Sequence, residues 1–177
     1  MATNQPTIEL LGEERDFEYA DGVAGYVLVL TRLIVGYWFL HAGWTKFAFV
    51  AGEPFDAAGF LANAGGPLAG FFAAVAGTPW LLEFTNVMIP LGEFLIGLGL
   101  ILGAMTRLAA FFGGFLMVMF YLGNADWAHG YVNGDLLGLL AFVIVGAFAA
   151  GRILGVDAVL ERTAFVRRHP RLRYLLG

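Results

Sequence analysis

The sequence predicts an all-α integral membrane protein, a four-helix bundle with both termini in the cytoplasm. Three observations predict this class. Hydrophobic residues make up 59% of the 177-residue chain and charged residues only 14%. Soluble domains contain roughly 45–50% apolar residues and about 25% charged residues. Four segments are apolar over the length that a spanning helix needs. Most of the arginines lie at one end of those segments.

The chain is predicted to begin with an acidic cytoplasmic tail over residues 1–21. This tail carries six carboxylates and a single basic residue, Arg15. It lacks the basic start and the cleavage site of a signal peptide, so a solvated extension is expected. A membrane domain over 22–158 and a basic cytoplasmic tail over 159–177 follow.

The membrane domain contains four apolar runs with glycines inside each, a composition typical of closely packed helices. The spans are predicted at residues 24–49, 86–104, 107–124 and 133–151. A long apolar outer loop separates the first two spans, and Pro54, Pro67 and Pro79 divide it. It is interpreted either as one or two short helices lying at the outer interface or as a lid over a site between the spans.

The basic residues give the orientation. Arg107 lies in the short second turn, and the C-terminal tail contains Arg152, Arg162, Arg167, Arg168, Arg171 and Arg173. The opposite side has only Lys46. Because basic residues favour the cytoplasmic side, both termini are predicted there, in a multi-pass protein of the cell membrane.

Ionisable side chains within the spans are candidates for function, because hydrocarbon makes them costly. Arg32, Gly36, Phe39, Gly43 and Lys46 share one helical stripe, which should face protein. Alternatively, the two basic side chains extend to opposite interfaces, and for Lys46 this is the expectation.

Glu93 lies three residues after Pro90 within the second span. A helix kinked by proline next to a carboxyl group is a common way to form a polar pocket among helices. It is interpreted either as a functional carboxyl group or as a structural partner of Arg32 or Lys46. Whether Arg32 meets Glu93 stays open. The tripeptide Thr31-Arg32-Leu33 resembles Thr106-Arg107-Leu108. If this repeat marks a duplicated helix hairpin, Arg32 lies near the inner surface.

The other polar candidates lie on the outer side. His41 is either a hydrogen-bonded structural residue or a proton relay that touches a substrate. At 1.5 Å per residue, His41, Glu93, Asn124 and Asp135 share one level, so any site is expected to open outward. Asp126, His129 and Asp135 lack the spacing of metal ligands, and no metal site is predicted.

The order of these motifs resembles the DoxX family. The first span reads Arg-Leu-x3-Tyr-x-Phe-x-His-Ala-Gly-x2-Lys over 32–46, and the second reads Gly92-Glu93-x3-Gly97. Thr106-Arg107, Asn133-Gly134-Asp135 and Gly151-Arg152-x2-Gly155-Val156-Asp157 continue the likeness, which covers about residues 25–158. The resemblance implies a four-helix membrane bundle. It also implies kinship with DoxD, the membrane subunit of thiosulfate:quinone oxidoreductase.

On this interpretation, the chain passes electrons from thiosulfate or another small reductant to a membrane quinone. His41 and Glu93 are the candidate catalytic groups, and Arg32, Lys46, Asn124 and Asp135 are structural polar groups. The candidate walls of a quinone slot are Tyr37, Trp38, Trp44, Phe94 and Tyr121. No ligation pattern for haem, flavin or an iron–sulfur cluster is visible, and cysteine is absent. Electrons must then come from the substrate or from a partner redox subunit.

A non-catalytic integral subunit or scaffold of a larger complex is the alternative. In that case Arg32 and Glu93 are structural, glycine faces serve association, and the basic tail binds anionic lipids or a cytoplasmic partner. A small transporter is a third interpretation, which no inverted repeat supports. Expected partners are membrane lipids, quinone, and a second copy or a redox subunit. The net charge of −4 argues against nucleic acid.

Overall fold

The computed structural model describes residues 3–4, 7–10, 13–16, 19–124 and 130–177, with side chains from Gly22 onward. From Asp21 to the end, every regular element within these residues is helical. The α-helices of this part are α1 (Asp21–Trp44), α2 (Ala48–Ala51), α3 (Ala58–Asn63), α4 (Ala69–Ala76), α5 (Pro79–Leu102), α6 (Thr106–Gly123), α7 (Gly134–Ala147), α8 (Asp157–Leu160) and α9 (Ala164–Arg168). Short 3-10 turns cover Ala150–Arg152 and Pro170–Tyr174.

The acidic N-terminal segment contains short strands where a solvated extension was predicted. β1 (Thr3–Asn4) pairs with β4 (Tyr19–Ala20), and β2 (Thr7–Leu10) pairs with β3 (Glu13–Asp16), both antiparallel. Composition alone does not reveal such pairing. The strands pair through backbone N–H and C=O groups, and every sequence has these groups.

The four longest helices enclose the main hydrophobic core. α1 and α6 each pack against both α5 and α7. The core residues are Val35, Phe39, Ile96, Leu100, Ala109, Ala110, Met117, Phe142, Val145 and Ala150. At its centre the rings of Phe39 and Phe142 meet edge to face, with centroids 4.7 Å apart.

Glycines let α1 and α5 approach until their backbones touch. A Cβ at Gly97 would collide with the backbone of Leu40, and one at Gly43 with the backbone of Phe94. Such close approach is what small residues allow between membrane helices. The predicted stripe on α1 therefore faces protein: Arg32 and Phe39 are each 2% exposed, and Gly36 and Gly43 are buried.

Helix α5 begins at Pro79, seven residues before the predicted start at 86. The prediction stopped at the polar residues Thr85 and Asn86, but both are satisfied within the fold. The Thr85 hydroxyl donates to the Leu81 carbonyl, and the Asn86 side chain accepts from the Ala57 N–H. Proline is well tolerated at a first helical position, so Pro79 starts the helix although it was expected to divide the loop.

Helices α1 and α7 are shorter than the predicted spans 24–49 and 133–151. α1 ends at Trp44, and a turn over Thr45 and Lys46 follows. α7 ends at Ala147 because Ala149 adopts a left-handed conformation, with φ of 50°. The ends of α1 and α7 leave Lys46 and the Ala150 carbonyl free for the contacts described below. A hydropathy plot does not predict these contacts.

The outer loop folds into α2, α3 and α4. Ala57, Leu61 and Phe72 form a second small core, against which Leu82 of α5 and Met119 of α6 pack. The Gly65 N–H also donates to the Gly123 carbonyl at the end of α6. The loop thus consists of short helices, which cover the N-terminal part of α5 and the C-terminal end of α6. Its position at the outer interface and its role as a lid stay predictions.

Three of the described helices are long and apolar enough to cross a membrane: Gly22–Trp44, Pro79–Leu102 and Thr106–Gly123. Large apolar side chains such as Tyr26, Phe111 and Trp80 are more than 65% exposed, as expected of surfaces that face lipid. These features indicate a membrane protein. α7 has 14 residues and is about 21 Å long at 1.5 Å per residue, shorter than the hydrocarbon core of about 30 Å.

Candidate functional site

An ion pair joins α5 to the turn that follows α1. The Lys46 Nζ lies 2.6 Å from the Glu93 Oε2 and also donates to the Ala42 carbonyl at 3.1 Å. The side chain of Glu93 is 5% exposed and that of Lys46 is 28% exposed. The turn after Trp44 and the glycine contact at Gly43 bring the ammonium to the carboxylate. Lys46 was expected to extend to the interface, and the structure pairs it with Glu93 instead.

Aromatic rings border this ion pair. The centroids of Phe47 and Phe94 are 5.5 Å apart, and those of Trp44 and Phe94 are 6.0 Å apart. Phe49 stacks on Phe47 at 5.5 Å, and the ring of Phe55 lies 5.9 Å from the lysine Nζ. We call Trp44, Phe47, Phe49 and Phe94 the aromatic cluster. Its members all sit within or beside the two segments that carry the ion pair.

Arg32 occupies the other end of the bundle and does not meet Glu93. Its Nη1 donates to the carbonyls of Ala150 and Ile153 at 2.7 and 3.1 Å, and its Nη2 donates to that of Leu154 at 3.1 Å. A Cβ at Gly155 would lie 2.8 Å from the Nη1, so the turn closes tightly on the guanidinium. Arg32 therefore lies beside Gly103 and Gly155, close to the start of α6. Its position near the inner surface, which the repeated tripeptide predicts, stays a prediction.

Asp157 is the second buried charge at this end, fully excluded from solvent. Its Oδ1 accepts from the Met105 N–H at 2.7 Å, and its Oδ2 accepts from the N–H groups of Thr106 and Gly177 at 2.9 and 3.0 Å. The Asp157 N–H in turn donates to the Gly103 carbonyl. This carboxylate caps the start of α6 and joins it to the C-terminal segment.

The structure does not bring His41 to Glu93. His41 and Gly43 are two residues apart and so lie on roughly opposite faces of α1, and Gly43 is the one that contacts α5. The imidazole is exposed, and its ring neighbour is Tyr37 at 5.8 Å. A shared acid–base role for His41 and Glu93 therefore has no geometric basis, because the helix directs them apart.

The five aromatic residues proposed as slot walls also separate. Only Trp44 and Phe94 belong to the aromatic cluster. Trp38 packs toward Gly138 of α7, and the Tyr121 hydroxyl donates to the Tyr131 carbonyl on the outer side of α6. The described contacts do not join all five into one slot, because residues close in sequence face different neighbours around a helix. The slot stays a prediction.

Polar groups join the C-terminal end of α6 to the start of α7. Asn124 donates to the Asp135 carboxylate at 3.0 Å, and Asn133 caps α7 by accepting from the Leu136 N–H, as expected for an N-cap residue. Both Asn124 and Asp135 thus have structural contacts, and neither reaches the Lys46–Glu93 pair in any described contact.

The sequence predicted no metal site among Asp126, His129 and Asp135. Asp126 and His129 lie outside the described residues. Among the residues that the structure describes, no three His, Asp or Glu side chains cluster as a metal site.

Comparison with known families agrees with these features. The sequence model of the DoxX family matches residues 27–124, more than half of the chain. This chain belongs to the DoxX family. The match includes Arg32, Lys46 and Glu93, whereas Asp157 and the motifs after residue 124 lie beyond it. Comparison with the curated proteins and with the solved structures found no match.

Sequence reasoning about this DoxX protein missed the role of three residues. Asp157 was noted only as part of a motif, although an acid directly after the last apolar segment and among arginines is a usable signal. Phe47 and Phe49 were counted as part of the first span. The turn that moves them beside Phe94 covers Thr45 and Lys46, and these two polar residues are a sequence signal that could have marked the end of α1.

Proposed function

We propose that this DoxX protein is the membrane subunit of a quinone-linked oxidoreductase, and that the Lys46–Glu93 pair binds the quinone headgroup. The observation that carries the proposal is an ion pair of a buried carboxylate and a partly exposed ammonium, with unused hydrogen-bonding capacity, next to aromatic rings. Quinone sites are typically apolar with a few convergent polar groups, and family membership is consistent with a link to quinone oxidoreductases.

The proposal includes a membrane topology. α7 and the turn after it make the fourth crossing, completing a four-helix bundle with both termini in the cytoplasm of a cell-membrane protein. The arginines at the Arg32 end support this orientation. The Lys46–Glu93 pair then lies in the outer half of the membrane, under the cover of α2, α3 and α4.

The pair has a donor and an acceptor to spare. An ammonium group has three N–H donors, and Lys46 uses two of them, on the Ala42 carbonyl and on Glu93. Within the described residues, the Glu93 Oε1 accepts no hydrogen bond. A quinone carbonyl fits the third lysine N–H, and a hydroquinone hydroxyl fits the free carboxylate oxygen.

A bound quinone supplies the redox chemistry by taking up two electrons and two protons. Lys46 would polarise one carbonyl, since a cation stabilises negative charge that develops on oxygen. Glu93, when protonated, would deliver one proton to that oxygen and regain its own from water, and the second proton would reach the other oxygen from water. Trp44 and Phe94 would hold the ring by stacking. The electrons come from a small reductant such as thiosulfate, or through a partner redox subunit.

Quinone retention tests this proposal without knowledge of the reductant. The native protein, Glu93→Gln and Glu83→Gln would each be purified in mild detergent, and the bound quinone extracted and quantified. Glu83 lies exposed on the same helix and gives a matched control. We expect Glu93→Gln to retain at most about a tenth of the native quinone, the effect of losing a charged hydrogen-bond partner. Equal retention by both variants would refute the proposal.

A scaffold is the second candidate function, and one observation favours it. Arg32, Asp157, Lys46 and Glu93 all have protein partners, so each can be explained by stability alone. A charge exchange separates the two functions. Lys46→Glu combined with Glu93→Lys should recover the melting temperature that either single change lowers. A scaffold predicts that the native protein retains no quinone and that the exchange restores stability alone. Quinone that the native protein retains and the exchanged variant loses, at a recovered melting temperature, supports the quinone site.

A further inference from the structure

A groove of about 470 Å³ runs along the outside of α6 and α7, away from the Lys46–Glu93 pair. Its floor consists of the buried residues Ala110, Gly114 and Phe142, and its walls include the exposed side chains of Phe111 and Val143. The lining is apolar except at one end, where Arg107 lies.

Gly114 keeps the groove open, although helix packing does not require a glycine there. A Cβ at Gly114 would meet its nearest neighbours, on Leu139 and Phe142, at 3.5 and 3.8 Å, which is ordinary contact. A Cβ at the adjacent Gly113 would instead collide with the ring of Phe142. Gly113 thus serves the contact between α6 and α7, whereas Gly114 leaves space that the two helices do not use.

Arg107 gives the groove a cationic end. Its Nε donates to the Gly146 carbonyl at 3.3 Å, which fixes the guanidinium beside the groove. Among the described residues, no carboxylate pairs with Arg107 and no contact occupies its terminal nitrogens. A planar guanidinium with free N–H groups matches the geometry of a phosphate.

The length of the groove selects its occupant. From Arg107 to Val118 the groove follows α6 for about 16 Å at 1.5 Å per residue, close to half of a hydrocarbon core of about 30 Å. We infer that the groove binds one acyl chain of an anionic phospholipid from the leaflet at the Arg107 end, with the lipid phosphate on the Arg107 guanidinium. A spanning helix of a second copy would need a groove that crosses both leaflets, and it would leave the phosphate-binding group unused.

The test uses delipidated protein in detergent, titrated with phosphatidylglycerol and monitored by native mass spectrometry. Two changes should weaken binding: Arg107→Gln removes the charge, and Gly114→Leu fills the groove. Each has a control, Arg162→Gln at an exposed arginine and Gly92→Leu on α5, where a Cβ meets nothing within 4 Å. We expect a fivefold or greater increase in Kd for both test variants, about the effect of one basic contact to an anionic lipid, and a less than twofold change for both controls.

Three results would overturn the inference. Equal losses in Arg107→Gln and Arg162→Gln would mean that the lipid senses only the overall positive charge. Unchanged binding by Gly114→Leu would mean that the acyl chain lies elsewhere. If Gly114→Leu releases quinone or alters self-association while phosphatidylglycerol binding persists, another molecule fills the groove. Should Gly114→Leu fail to fold, Gly114→Ala, which the spacing accommodates, and Arg107→Gln still decide the outcome.

Discussion

The two ends of this DoxX bundle handle buried charge differently. At the end that we propose to face the cytoplasm, called the inner end, Arg32 and Asp157 are almost fully buried, and both bond to backbone groups of the turns around them. At the outer end, Lys46 and Glu93 bond to each other, and the lysine stays partly exposed. The inner charges hold the chain in place, whereas the outer pair keeps hydrogen-bonding capacity that a ligand can use.

This difference reflects what each kind of partner permits. A backbone carbonyl or N–H has one position once the chain has folded, so charges that bind to it fix the chain and cannot rearrange. A pair of side chains can separate through rotation of its long lysine chain, because four rotatable bonds join the ammonium to the helix. We therefore expect changes at the inner end to affect mainly stability, and changes at the outer end to affect mainly binding.

The largest effect is expected from Asp157→Ala. The change leaves the N–H groups of Met105, Thr106 and Gly177 without their acceptor in a buried site. Charged hydrogen bonds contribute about 1.5–3 kcal/mol each, so the free energy of unfolding should fall by about 3 kcal/mol or more. Thermal unfolding in detergent measures this. Asp56→Ala, which removes one bond at an exposed turn, is the control, and an equal loss there would contradict the role of Asp157.

Exchange of the two basic residue types tests the comparison directly. Arg32→Lys keeps the charge but cannot reach three carbonyls from one nitrogen, and it should lower the free energy of unfolding by about 2 kcal/mol. Lys46→Arg keeps a partly exposed ion pair and should cost less than about 1 kcal/mol. Melting temperatures of both variants check the ranking. If Lys46→Arg lowers the melting temperature more than Arg32→Lys does, the outer end is the more rigid of the two ends.

The glycine contact between α1 and α5 supports the outer pair, and Gly97→Ala should loosen it. The new methyl group would collide with the backbone of Leu40, and overpacking of this kind costs about 1–3 kcal/mol. Gly92→Ala on the same helix meets open space and should leave the melting temperature unchanged or raise it. Quinone retention should fall with Gly97→Ala only; retention at the native level would show that the pair tolerates helix separation.

The smallest effect is expected at the exposed pair Arg152–Glu161. Its Nη2 and Oε1 are 2.6 Å apart, as close as the atoms of the outer pair, but the arginine side chain is 44% exposed. Solvent screens such pairs, so a double-mutant cycle should yield a coupling of about 0.2–1 kcal/mol. Unfolding of Arg152→Ala, Glu161→Ala and the double variant gives this coupling. A coupling clearly above this range would mean that solvent exposure does not weaken the pair.

Several features of the fold follow from local sequence. Apolar runs of sufficient length predicted the helices that became α1, α5 and α6, because burial in hydrocarbon depends on composition within one segment. The stripe from Arg32 to Lys46 was predicted to face protein, since helical periodicity alone places its residues on one line. The family also follows from sequence, because the motifs of α1, α5 and α6 occur in order within residues 27–124.

The partners of the charges were decided only by tertiary structure. Glu93 had two candidate partners, Arg32 and Lys46, and the sequence carries no record of which turn brings a cation within 2.6 Å of it. The same applies to Asp157, whose three backbone donors come from two distant segments. Hydropathy is a sum over neighbours in the chain, whereas an ion pair depends on how backbones approach in space, and the glycines of α1 and α5 set that approach.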